Sequence, residues 1–210
     1  MKKSKIKPFF MIVSGLIVAI VIWLLMQGQS HTTLPGKPSA YESFNFNLQS
    51  ADGKVTMDDF ENKWVYLYVG YTFCPDICPT NLASLSNAYR QLSEEEKQHI
   101  QIILVSVDPD RDTPEHLKKY SGYFDMDMIG LTGNREEIDA VVNALGAVYI
   151  INKDEEKHYS VDHSAFTYVI SPAKKLVETL PHETTPEEFL TSFKSALQQN
   201  VNQDLNQTLN

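Results

Sequence analysis

Apolar and polar positions divide the chain into segments of three kinds. Phe9 to Met26 is an unbroken run of eighteen uncharged residues. As a helix it would span roughly 27 Å, against a hydrocarbon core of about 30 Å. Trp64 to Tyr71 and Ile100 to Val107 are shorter apolar runs of strand length, and Met128 to Leu131, Val148 to Ile151, Ala165 to Ile170 and Leu176 to Leu180 read as further strands. Between them lie segments with helix-start signals. Pro79 opens a helix to about Leu92, Thr113-Pro114 opens one to about Phe124, Asn134 with Glu137 opens one to Leu145, and Thr185 with Glu188 opens one to about Gln199. Ahead of the first core strand, Phe44, Phe46 and Leu48 alternate with polar residues. Ala51 to Lys54 then turns the chain into Val55-Thr56-Met57, which predicts a hairpin added to the sheet.

Strand, helix, strand over residues 64–107 is one crossover unit, so its two strands should be parallel. The whole order, a hairpin, a βαβ unit, then α, β, α, a β-hairpin and α, predicts an α/β domain of thioredoxin-like layout over residues 41–199. Residues 27–40, with Pro35, Gly36 and Pro38, read as a linker, and residues 200–210, with four Asn and two Gln, as a disordered tail.

Charge sets the orientation of the apolar run. Lys2, Lys3, Lys5 and Lys7 precede it and no basic cluster follows. Residues 1–8 are therefore expected in the cytoplasm, residues 9–26 as an uncleaved single-pass transmembrane anchor in the cell membrane, and the main domain outside. No Ala-x-Ala-type cleavage site follows the run. The formal charge is −9, and the four leading lysines supply +4, so the remainder carries −13. An acidic body argues against nucleic acid as a partner and leaves the anchor as the contact with membrane.

The only two cysteines, Cys74 and Cys78, lie where the first core strand gives way to the first helix. Cys78 is expected at or beside the helix N-terminus, where the dipole favours a thiolate. Two thiols at this spacing can form a structural disulfide, act as a redox-active disulfide, or hold a soft metal ion with a third ligand. A five-residue loop contributes only about 2 kcal/mol of chain entropy as a cross-link, so the structural disulfide is the weakest of the three. His163, in a loop just ahead of the strand Ala165 to Ile170, is the candidate third ligand, with His158 second; His31, His99, His116 and His182 receive no role. Two thiols and an imidazole suit copper, or a catalytic zinc with one open position. Asp162 is a candidate to hydrogen-bond near His163 and fix its tautomer. Asp108-Pro109-Asp110-Arg111-Asp112 lacks the glycine and distal glutamate of a calcium loop, so turn and capping chemistry is expected there.

With these residues in place, the chain resembles the Sco/SenC proteins, membrane-anchored copper chaperones for cytochrome c oxidase assembly. The resemblance covers roughly residues 41–197. It rests on Phe73-Cys74-Pro75-Asp76-Ile77-Cys78-Pro79, Val107 to Pro114, Leu131-Thr132-Gly133 and Val161-Asp162-His163. It implies copper, as Cu(I) or Cu(II), on Cys74, Cys78 and His163, with Asp162 implicated in function rather than ligation. As partners it implies the second subunit of cytochrome c oxidase and other copper carriers or thiol reductants. Copper delivery and reduction of target cysteines are both open under it. A thiol-disulfide oxidoreductase acting on secreted proteins is the alternative.

Overall fold

The structure is a computed structural model that describes residues 43–152 and 159–208. The expected cytoplasmic tail, anchor and linker lie outside the described residues. Among the described residues no helix is long and apolar enough to cross a membrane.

The centre is a five-stranded sheet of β3 (Trp64–Gly70), β4 (Ile100–Ser106), β5 (Met128–Leu131), β8 (Phe166–Ile170) and β9 (Leu176–Pro181), in the order β5-β4-β3-β8-β9. β3, β4 and β5 run parallel, as the crossover argument requires, β8 is antiparallel to β3, and β9 is antiparallel to β8. Every residue of β3 and β4 is buried. A continuous apolar run rather than an alternating one is what a strand covered on both faces demands.

Among the described residues five α-helices and a short 3-10 helix (Met57–Phe60) accompany the sheet: α1 (Ile77–Tyr89), α2 (Glu94–Lys97), α3 (Pro114–Ser121), α4 (Arg135–Ala144) and α5 (Pro186–Thr208). The Tyr66 ring packs edge-on against Phe193 of α5 at 4.5 Å, Gly70 lies under Cys78 of α1, and Gly130 lies under Leu117 of α3. The expected caps form. Thr113 accepts from the His116 amide at 3.2 Å, and Asn134 with Glu137 and Thr185 with Glu188 exchange reciprocal capping-box bonds.

Four expectations are corrected. α1 begins at Ile77 with Asp76 as its N-cap residue, two residues before Pro79. Proline is still tolerated there, because amides of the first turn have no intrahelical partner. α5 runs to Thr208 instead of yielding to a loose tail at residue 200. No Gly or Pro interrupts residues 200–208, and Leu197, Val201 and Leu205 keep a four-residue apolar spacing. The N-terminal hairpin, β1 (Asn47–Ser50) with β2 (Gly53–Thr56), is a separate two-stranded sheet, linked to the end of β5 by a bridge between Gln49 and Thr132. The strand expected at 148–151 is β6 (Tyr149–Asn152), and it pairs with β7 (Ser160–His163) in a third sheet. β7 was expected as loop: its outer face carries Ser160 and Asp162, so it has one apolar residue, Val161, to signal a strand.

Candidate metal centre

The C-terminal ends of parallel strands lie at one edge of a sheet, so the loops after β3 and β4 must be neighbours. The Val107 amide donates to the Gly70 carbonyl at 2.9 Å and closes that junction. β8 runs the other way, pairing Thr167 with Tyr68, which brings the chain just before it to the same edge. The cysteine loop, the loop of Asp108 to Asp112 and the end of β7 therefore converge there.

Cys78 sits in the first turn of α1, fully buried, and Cys74 is half-buried in the preceding loop. Both are free cysteines. The ligand atoms of Cys74, Cys78 and His163 all lie within 4.8 Å of one another. Cys78 Sγ is 3.2 Å from His163 Nε2, and the Cys78 amide donates to Cys74 Sγ at 3.4 Å. Nδ1 of His163 lies 3.3 Å from the Ser164 carbonyl, which can only accept. Nδ1 therefore carries the proton, and Nε2 turns its lone pair toward the sulfurs. The ring is walled edge-on by Tyr71 at 5.8 Å and Tyr68 at 6.1 Å.

The thiolate belongs to Cys74, not to the residue on the helix. A hydrogen bond from the Cys78 thiol, with further help from the Cys78 and Asp76 amides, pulls Cys74 down to about 4 from an ordinary 9.0. Cys78 moves the opposite way, because it is the donor in that bond and because burial penalises its charged form. The first-turn amide acts across space on Cys74, and the bond to Cys74 together with complete burial overrides the dipole at Cys78 itself.

Asp162 does not take the role expected of it. Neighbouring residues of a strand point to opposite faces. With His163 turned inward, Asp162 faces outward and accepts from Asn152 Nδ2 at 2.8 Å. The Ser164 carbonyl orients the imidazole instead. His158 lies outside the described residues. His116, given no role from sequence, stands beside the cysteine loop: Nε2 is 2.9 Å from the Thr72 hydroxyl, and its ring stacks on Phe73 at 5.7 Å.

The acidic loop after β4 is turn chemistry with a further consequence. Asp112 is fully buried and accepts from the Thr72 amide at 2.9 Å, the Thr72 hydroxyl at 2.5 Å and the Ser106 hydroxyl at 2.5 Å. It staples the cysteine loop to the end of β4. Asp108, also fully buried, holds Arg111 Nε at 2.5 Å and accepts from the Tyr159 hydroxyl. The local signal for these two carboxylates is their place directly after a wholly apolar strand. Their partners, up to 51 residues away, leave no mark in local sequence.

A buried thiol, a thiolate and an imidazole lone pair, converging beside solvent, form a soft donor set of low coordination number. Such a set suits a monovalent copper or, with a fourth ligand from outside, a divalent ion. Phe73 and Ile77, 52% and 42% exposed, form an apolar lip beside it.

Comparison with known proteins bears on this centre. The family model SCO1/SenC matches residues 35–198. A "Putative copper-binding protein" of Stutzerimonas stutzeri is 37% identical over 121 residues, covering 58% of this chain and 59% of its own length. The chain thus spans about three fifths of that curated relative. The crystal structure of Arabidopsis thaliana ScoI with copper bound superposes with a TM-score of 0.69 at 33% identity, covering 75% of this chain and 98% of that one. BsSco, described as a member of the Sco family of cytochrome c oxidase assembly proteins and as having a disulfide switch, gives a TM-score of 0.59 at 27% identity, over 76% of this chain and 95% of its own. The domain has the α/β, thioredoxin-like fold of these proteins, and the chain belongs to the SCO1/SenC family.

Proposed function

We propose that this chain is a copper carrier for the assembly of cytochrome c oxidase, with Cys74, Cys78 and His163 as its copper ligands. One observation supports this most: two sulfurs and an imidazole nitrogen lie within 4.8 Å of one another beside solvent, in a fold shared with a copper-loaded relative. The half-buried Cys74 thiolate is the entry ligand, and Cys78 must release its proton as copper binds. Copper is the cargo, so an open coordination position facing solvent lets an acceptor's ligand join before the chain's own ligands let go.

Residues 9–26 would hold the carrier in the cell membrane with its domain on the outer side. The intended acceptor is the dinuclear copper site of the oxidase second subunit. Other copper carriers or thiol reductants would load and reduce the chain.

A second reading, reduction of the acceptor's cysteines, is favoured by the split between the two thiols. The Cys74 thiolate would attack a target disulfide, forming a mixed disulfide and releasing one target thiolate. Cys78 would then lose its proton and attack Cys74 Sγ, releasing the second. Two electrons pass to the target, and a Cys74–Cys78 disulfide remains.

The test is to mix the copper-loaded, detergent-solubilised chain with the metal-free copper domain of an oxidase second subunit, its cysteines either reduced or oxidised. Transfer of copper to the reduced acceptor supports the carrier. Retention of copper, together with reduction of the oxidised acceptor by the metal-free chain, would replace the carrier by the reductant.

A further inference from the structure

His163 is delivered by a strand that has no ladder to the main sheet. Among the described residues, β6 and β7 pair only with each other. Something other than strand pairing must therefore set the distance between the imidazole and the two sulfurs. The contacts at the start of β7 show what does. The Arg111 guanidinium lies 3.7 Å from the centre of the Tyr159 ring, and its Nη1 donates to the Tyr159 carbonyl at 3.0 Å. Its Nε holds Asp108 at 2.5 Å, and that carboxylate also accepts from the Tyr159 hydroxyl. The same guanidinium lies 4.8 Å from the Phe73 ring and 5.7 Å from the Tyr71 ring. Tyr71 in turn accepts from the Val161 amide at 3.4 Å and walls His163.

One side chain thus touches three separate parts: the loop after β4, the cysteine loop immediately before Cys74, and the start of the strand that ends in His163. We infer that Arg111, anchored by Asp108, is a positioning residue that clamps the His163 strand onto the cysteine loop and holds the imidazole at ligand distance. A planar fork can bond Asp108 and the Tyr159 carbonyl together while stacking on aromatic faces, whereas a lysine offers one point charge on a flexible stem. The inference rests on the ligand assignment proposed above, and it concerns a residue that itself binds no metal.

The test is a double-mutant cycle on the whole chain. Copper(I) affinity is measured by competition with a chromophoric chelator, and nitrogen coupling is read from the electron paramagnetic resonance of the copper(II) form. Arg111→Lys should weaken copper by about 10- to 100-fold, as loss of a ligand-orienting contact does. It should also diminish the nitrogen coupling. In a His163→Ala background the same substitution should change affinity by less than about twofold, because there is no ligand left to position.

A wild-type affinity and spectrum in Arg111→Lys would overturn the inference while leaving the ligand assignment standing. So would a loss that adds in full to that of His163→Ala, since that is what general destabilisation produces. If Arg111→Lys does not fold, Tyr159→Phe carries the test. It removes the hydroxyl that bonds Asp108 and keeps the ring and the backbone carbonyl, so the loss should be smaller, and again absent without His163. A wild-type chain that binds copper no better than His163→Ala would remove the ligand assignment, and the clamp with it.

Discussion

Gly70→Ala tests whether the end of β3 is shaped around the buried thiol. Gly70 takes no left-handed backbone conformation, so what it supplies is space. A Cβ there would meet Tyr68 Cε1 at 2.8 Å, Cys78 Sγ at 3.0 Å and Tyr68 Cδ1 at 3.3 Å. Neither neighbour can swing out of the way. Tyr68 and Cys78 are both fully buried, and Cys78 is fixed in the first turn of α1. Overpacking of this kind costs about 1–3 kcal/mol, and two immovable contacts put the cost in the upper half of that range. For a domain of this size, roughly 2–3 kcal/mol lowers the melting temperature by about 4–12 °C.

The larger effect should fall on the metal. Relief of the clash pushes Cys78 Sγ away from the strand, while its distance to His163 Nε2 is only 3.2 Å. Calorimetric melting of the metal-free and copper-loaded chain reads both effects. The metal-free form should melt lower, and the upward shift on adding copper should shrink as well. A metal-free melt within about 1 °C of wild type would refute the packing argument. A lowered melt with an undiminished copper shift would refute the link between Gly70 and the site.

Four further outcomes follow from the same geometry. Alkylation of the reduced chain should modify Cys74 alone, with a rate that rises through a midpoint near pH 4 rather than near 9.0, because Cys74 is the thiolate and Cys78 is sealed off; a midpoint above 8 would contradict the assignment. By linkage, a lowered acid means that the folded state binds fewer protons than the unfolded one between those values, so this group's contribution to reduced-form stability should rise from pH 4 toward 9. Asp112→Asn replaces a buried acceptor of three hydrogen bonds and should cost roughly 1–3 kcal/mol in urea unfolding; an unchanged midpoint would mean that the staple on Thr72 carries nothing. Asp162→Ala should leave copper affinity within about threefold of wild type, since its carboxylate pairs with Asn152 on the outer face; a loss matching His163→Ala would show that it reaches the imidazole after all.

What was legible in the sequence was whatever is encoded locally. Buried central strands announce themselves as unbroken apolar runs, and Thr113, Asn134 and Thr185 announced their helices through caps three residues long. The convergence of Cys74, Cys78 and His163 was legible because the strand order places their segments at one sheet edge. The hairpin that carries His163 was not, because Ser160 and Asp162 face outward and make a four-residue strand look polar. The clamp on Arg111 was invisible for a different reason. Its partners Tyr159, Tyr71 and Phe73 come from three segments, and only the fold brings them around one guanidinium. The split between the two thiols was not legible: a helix N-terminus favours a thiolate on Cys78, while the bond that Cys78 donates to Cys74 and its complete burial, which oppose it, are properties of the packed structure.

The most direct measurement is a copper titration of the reduced, detergent-solubilised chain beside its His163→Ala variant, followed by stoichiometry, affinity and the thiolate-to-copper(II) absorption. The account predicts one copper per chain with strong sulfur charge-transfer bands in the wild type. In the variant it predicts an affinity lower by at least about 100-fold with thiolate ligation retained. Equal affinity and an identical spectrum in the two would contradict the three-ligand centre.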